Sequence, residues 1–164
     1  MAVDADIIGK ETGRARVQVE RAPLANFAKA VKDENPVYLD AQAAKDAGFE
    51  STPAPPTFGF ALEFWGRYPE LQQGLKPIEG NPMFEVIGKL MQNGGLVLHG
   101  EQEFVYHRPI VAGDVLRSEG KVVDAYEKES KGKTMTFVVS ETVWTDDKTG
   151  DPVMTARFNL IHRR

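Results

Sequence analysis

From Leu96 to His162 the sequence runs in period two, and that run limits the fold more than any other feature. Leu96 to Tyr106 reads as one long strand, closed before Pro109, and Val115 to Tyr126 follows after Gly113-Asp114. Thr134 to Trp144 alternates Met135, Phe137, Val139 and Val143 with Thr134, Thr136, Ser140 and Thr142; Val153 to His162 alternates Met154, Ala156, Phe158 and Leu160 with Thr155, Arg157 and Asn159. Gly113-Asp114, Lys131-Gly132-Lys133 and Asp146-Asp147-Lys148-Thr149-Gly150 carry turn chemistry, which predicts neighbouring antiparallel strands with no parallel crossover after residue 96.

The helical signals come earlier. Arg14 to Glu20 is a first half-buried strand, and Leu24, Phe27, Ala28 and Val31 then mark one face of a helix with Pro23 in its first turn. Asn35-Pro36 is expected to stop that helix, because the residue before a proline disfavours helical backbone. Asp40 is a candidate N-cap for a short helix through Ala47, with Gly48 as its left-handed C-cap. After Ser51-Thr52-Pro53-Ala54-Pro55-Pro56, the residues Phe58, Ala61, Leu62 and Trp65 mark one helical face while Phe60 and Phe64 mark another. A helix apolar almost all round is expected to be buried, with all four aromatic residues in the core. Residues 66–94, rich in Gly and Pro, read as a long excursion of the lid or binding-loop kind, with a short helix near Phe84 to Met91. The order predicts an α+β fold in which a curved antiparallel sheet wraps a central apolar helix.

Composition narrows the functional classes. At 164 residues one domain spanning 1–164 is expected, and the absence of cysteine removes disulfides, thiolate nucleophiles and thiolate metal sites. A formal charge of −4 without a concentrated basic face argues against nucleic acid. The acidic start lacks a secretory pattern and no apolar run is long enough to span a bilayer, so a soluble cytoplasmic protein is expected. There is no G-x-S-x-G elbow, Walker loop, G-x-G-x-x-G after a strand or H-E-x-x-H helix, so neither cofactor nor metal is expected. His99, His107 and His162 lie far apart without carboxylates at ligand spacing, and His99 shares strand parity with Val97, Glu101, Glu103, Val105 and His107.

One segment carries chemistry. Phe27-Ala28-Lys29-Ala30-Val31-Lys32-Asp33-Glu34-Asn35-Pro36-Val37-Tyr38 resembles the hydratase motif of the MaoC-like, (R)-specific enoyl-CoA hydratase family, in which a helix ends in Asp-x-Asn-Pro-x-His. In that family the Asp and His activate the water that adds across a 2-enoyl thioester, a step that needs a base for water and an acid for the α-carbon. Here Asp33, Asn35 and Pro36 match, and Tyr38 stands where the histidine belongs. A phenol with an ordinary pKa near about 10 takes a water proton far less readily than imidazole does. The family also aims a glycine N–H at the thioester oxygen from the start of the central helix, whereas this chain has Ala54-Pro55-Pro56-Thr57-Phe58, leaving only the Thr57 and Phe58 amides to point outwards.

With Leu98-His99-Gly100-Glu101-Gln102-Glu103-Phe104 and Arg108-Pro109-Ile110-Val111-Ala112-Gly113-Asp114, these blocks are similar to the N-terminal, non-catalytic dehydratase-like half of MaoC-type proteins over residues 6 to 162. The resemblance implies a single hotdog fold that pairs with a second hotdog chain, as homodimer or heterodimer, around an acyl-thioester tunnel. It implies an acyl-CoA or acyl carrier protein ligand. It assigns Asp33 and Tyr38 to the degenerate catalytic pair, and Asn35, Thr57, Phe58 and Arg108 to substrate contacts. Lys89 and Arg67 are further candidates for the phosphates. The functions it leaves open are a tunnel-forming subunit of a hydratase or dehydratase, a thioester-binding homodimer without chemistry, and a thioesterase using Glu63, the acidic residue of the central helix.

Overall fold

The computed structural model describes residues 5–92 and 94–164; the acidic start at residues 1–4 lies outside them. A five-stranded antiparallel sheet in the order β1-β3-β4-β5-β2 is built from β1 (Glu11–Gln18), β2 (Leu96–Tyr106), β3 (Val115–Ser130), β4 (Lys133–Asp146) and β5 (Pro152–Arg163). The helices are α1 (Arg21–Ala30), α2 (Ala41–Asp46), α3 (Leu62–Gly66) and α4 (Pro82–Met91), with short 3₁₀ turns at Pro36–Tyr38, Phe58–Phe60 and Pro69–Gln72. This is the α+β architecture expected, with the excursion over 66–94 contributing α4.

Local signals and structure agree where the physics is local. The Asp40 carboxylate accepts the N–H groups of Gln42 (2.7 Å) and Ala43 (2.9 Å), and Gly48 closes α2 at φ 88°. The first helix ends earlier than the proline predicts. Its last residue is Ala30, and Lys32 adopts a left-handed φ of 59°, so Asn35 instead caps the turn that follows through a 3.1 Å bond from the Val37 N–H.

Strand order departs from a simple meander. β3, β4 and β5 are consecutive hairpins, but β2 pairs with β5 and not with β3. Gly113-Asp114 is therefore the end of a crossover, tied to Val19 by bonds of 2.8 Å in each direction. Within β2, the pairing skips a residue between His99 and Glu101. This bulge at Gly100 turns His99 to the helix-covered face with Gln102 and Phe104, against the unbroken parity read from sequence.

The central helix is also less buried than expected. Phe58, Ala61 and Leu62 are buried, whereas Phe60, Phe64 and Trp65 are 50%, 77% and 55% exposed. The segment is a 3₁₀ turn followed by a short helix, and only one stripe of it meets the sheet. Two apolar clusters result. One joins Val17, Leu24, Phe58, Leu62, Leu116, Trp144 and Met154; the other joins Met83, Val86 and Ile87 of α4 to Val122, Val138 and Leu160. Between them, on the same face of the sheet, the strands present smaller residues.

Candidate acyl-binding cavity and degenerate motif

The gap between the two clusters is a cavity of about 810 Å³. Its floor is a row of residues in register across the sheet. Gly13 pairs with Gly120, Gly120 with Thr142, Thr142 with Ala156, and Ala156 with Phe104. Phe60, Glu63 and Phe64 form one wall, and the excursion from Leu75 to Phe84 forms the other. The alternation on β4 places its polar half inward: Ser140 and Thr142 line the cavity, while Phe137 lies on the opposite face, stacked on Tyr126 at 4.7 Å.

The motif residues form a separate cluster. Asp33 accepts the Asn35 N–H at 3.1 Å, and Tyr38 is buried beneath the turn that Asn35 caps. Burial raises the Tyr38 phenol above its ordinary value, and the Asp33 carboxylate raises it further, both as a negative charge and as a hydrogen-bond acceptor. The structure thus brings Asp33 and Tyr38 together. None of Asp33, Asn35, Tyr38, Thr57, Phe58 or Arg108 lines the cavity of this chain.

At the start of the central helix two of the three amide donors are spent, while Thr57 is exposed and its N–H has no acceptor among the described residues. The Phe58 N–H, expected to point outwards, donates to Pro55 O at 2.9 Å, and the Phe58 ring packs edge-on against Phe27 of α1 at 5.3 Å. Pro55 and Pro56 have no N–H. The Gly59 amide donates to the Tyr106 hydroxyl, which itself donates to Pro56 O. Burial pushes the Tyr106 phenol up to about 12, the Gly59 N–H acting in the opposite sense.

Arg108, expected to contact substrate, is engaged in an ion-pair cluster. Its guanidinium grips Asp114 at 2.8 and 3.1 Å and Asp146 at 3.0 Å, and these pairings raise its pKa. Of the other candidate cations, Arg67 lies at the cavity, 3.4 Å from Glu63, while Lys89 is exposed on α4 away from it; Lys76 of the excursion joins the cavity lining. His99 packs against the rings of Phe158 (4.6 Å) and Phe60 (5.3 Å), His107 lies 3.3 Å from Thr155 Oγ1, and His162 is buried against Gly94 O at 2.9 Å. Among the described residues no group of ligating side chains could hold a metal ion, and no helix is long and apolar enough to cross a membrane.

Sequence reasoning missed Gly13, Gly120, Ser140, Thr142 and Ala156. Their common feature is small size on one inward face across four strands, with all but Ser140 in one register row, which becomes visible only once the strand order is known.

A sheet of this order carrying a cavity beneath a short aromatic helix defines a hotdog protein of the MaoC-like dehydratase class. The ChsH1–ChsH2 complex of Mycobacterium tuberculosis aligns with a TM-score of 0.73 and 21% identity over 96% of this chain and 86% of that one. The HadBC (3R)-hydroxyacyl-ACP dehydratase complex of the same organism aligns with a TM-score of 0.67 and 25% identity over 96% and 98%. The model of the FAS1-like dehydratase domain region matches residues 6–156. A UPF0336 protein of Saccharopolyspora erythraea is 34% identical over 99% of this chain and 93% of its own length. The chain belongs to this FAS1-like dehydratase-region family, together with the UPF0336 proteins.

Proposed function

We propose that the chain is the tunnel-forming subunit of an (R)-specific 2-enoyl-thioester hydratase or 3-hydroxyacyl-thioester dehydratase, acting beside a second hotdog chain that supplies the Asp/His dyad. The observation that carries this reading is the Asp33–Tyr38 pair. Hydration puts hydroxyl on the β-carbon and a proton on the α-carbon, so it needs a group that takes a proton from water near neutral pH and returns one. Tyr38 holds its proton more firmly than a free phenol does, with burial and Asp33 acting in the same direction. The thioester oxygen also needs donors where charge develops, and with the Phe58 and Gly59 amides already engaged only the Thr57 amide is left at the helix start.

What the chain retains is the cavity. Its aromatic walls suit an acyl chain, and Arg14, Arg67 and Lys76 at its lining are cations to hand for the phosphates of coenzyme A or an acyl carrier protein. HadBC and ChsH1–ChsH2 are complexes, which supports a two-chain unit here.

The test is turnover of crotonyl-CoA and a longer 2-enoyl-CoA by the purified chain and by the chain co-expressed with a hotdog protein carrying Asp-x-Asn-Pro-x-His. Activity only in the co-expressed pair, lost when the partner's motif histidine is replaced, is the expected result. Turnover by the chain alone, abolished by Asp33→Asn, overturns the reading. Acyl-CoA binding by a homodimer that forms no such pair favours the binding module instead. Thioester hydrolysis lost in Glu63→Gln favours the thioesterase.

A further inference from the structure

The outer face of the sheet, opposite the cavity, is not the polar surface that an antiparallel sheet ordinarily turns to water. Tyr126, Phe137, Ile161 and Leu98 pair in register across β3, β4, β5 and β2 and make an apolar row. Phe137 is buried, Tyr126 and Ile161 are half-buried, and Leu98 is 38% exposed. The Lys128 ammonium lies over the Tyr126 and Phe137 rings, 5.1 and 5.5 Å from their centres.

Two rows of unlike charge flank the apolar one. Lys128, Met135, Arg163 and Leu96 pair in register on one side, and Asp124, Val139, Asn159 and Glu101 on the other. Along β3, β4 and β5 each flanking row stands two residues, about 7 Å, from the apolar row. None of Lys128, Arg163, Asp124 and Glu101 forms an ion pair with another described residue. The row beyond Asp124 and Glu101 has its own pairs, Arg157 bridging Glu141 at 3.0 Å and Glu103 at 3.7 Å.

This pattern is complementary to itself. A two-fold axis laid along the apolar row turns the face onto a second copy with the strand direction reversed. Tyr126, Phe137, Ile161 and Leu98 then meet their own counterparts, Lys128 opposes Asp124 of the second copy, Met135 opposes Val139, and Arg163 opposes the side of Asn159 and Glu101. Contacts of this isologous kind each occur twice. A partner carrying one sign of charge would instead leave one flanking row against its own sign. We propose that the outer face is the docking surface for a second copy of this chain, the two sheets packing face to face about 10 Å apart. It is the reverse of the cavity face, so a chain paired in this way keeps its cavity and its β2 edge for a second hotdog chain.

Sedimentation equilibrium of the full chain tests the proposal by charge exchange. Lys128 and Asp124 lie four residues, about 13 Å, apart on one strand, too far to pair within the chain. Lys128→Glu sets like charges together twice per dimer, and so does Asp124→Lys. Each is expected to weaken dimerisation at least about ten-fold. Lys128→Glu combined with Asp124→Lys restores the opposition of charge and should return dimerisation to near the native strength. Both positions are exposed, so the variants are expected to keep the native fold, which circular dichroism checks. A native chain that stays monomeric, or a double variant that dimerises no better than the single ones, overturns the proposal. Dimerisation equally strong in the native chain and in all three variants overturns it too, and places the contact at another surface such as the β2 edge.

Discussion

The Tyr106 hydroxyl, at the end of edge strand β2, donates to the Pro56 carbonyl and accepts from the Gly59 amide at the turn that starts the central helix. One side chain thus fastens the helix to the sheet and occupies a donor at the helix start. Tyr106→Phe should cost about 1 kcal/mol in denaturant unfolding, because the ring keeps its packing and only the tie is lost. The pH dependence has a definite sign. An unfolded phenol titrates near about 10 and this one near about 12 in the folded chain, so folding favours the protonated form. Its contribution is complete below pH about 10 and is lost as pH rises toward about 12. Tyrosinate absorbance should lose, in Tyr106→Phe, a phenol that titrates near about 12 in the native protein.

Restoring the motif histidine should not restore catalysis. Tyr38→His supplies an imidazole beside Asp33, but Pro56 still lacks an N–H and the Phe58 amide still serves Pro55 O. The isolated variant is expected to leave crotonyl-CoA unhydrated, as followed by enoyl-thioester absorbance. Adding Pro56→Gly returns an amide where charge develops, and the double variant should gain measurable turnover. Hydration by the single variant at the rate of the double would mean that oxyanion donors are already available.

The division between what the sequence disclosed and what it concealed follows from range. Asp40 and Gly48 are legible because capping is decided within one helical turn, and the Asp33–Tyr38 motif because it is contiguous. The orientation of His99 is not, since parity fails at Gly100. There a Cβ would stand 2.6 Å from Ile161 Cδ1 and 3.0 Å from Asn159 O, so a side chain at the bulge would press on β5. The exposed rings of Phe64 and Trp65 mislead for another reason. Apolar character all round a helix predicts burial, but the sheet covers only the Phe58–Leu62 side. The cavity was illegible because Gly13, Gly120, Thr142 and Ala156 meet only through strand order.

Arg108 should matter to stability and not to ligand binding. It joins the loop before β3 to the β4–β5 turn through Asp114 and Asp146, and Asp114 also accepts the Val111 N–H at 2.9 Å. With the guanidinium a third exposed, solvent screening limits the cost of Arg108→Gln to about 1–2 kcal/mol. The Asp146 carboxyl lies below its ordinary value chiefly through the N–H groups of Thr149 and Lys148, with Arg108 adding to them. A depressed carboxyl contributes stability above about pH 4 that is lost as pH falls through the folded value. Acid unfolding should therefore remain in Arg108→Gln with a smaller amplitude. Acyl-CoA affinity should be unchanged in this variant and weakened in Arg67→Gln with Lys76→Gln, as read by titration calorimetry.

Gly66 is the tightest joint between the central helix and the sheet. A Cβ there would lie 2.5 Å from the Gln18 carbonyl oxygen and 3.1 Å from Val17 Cβ, both belonging to β1. Unlike the flexible Met154 and Phe104 side-chain ends that a Cβ at Gly59 would meet, a strand carbonyl cannot swing aside. Gly66→Ala must push α3 away from β1 and loosen Leu62 from Val17 and Leu116. A loss of about 1–3 kcal/mol is expected in denaturant unfolding. Because α3 also carries Glu63 and Phe64 in the cavity wall, stearoyl-CoA affinity should fall in the same variant. Gly74→Ala, at a position with open space around it but a left-handed φ of 79°, separates the two causes. It should cost about 1 kcal/mol through backbone strain alone and leave the affinity where it was.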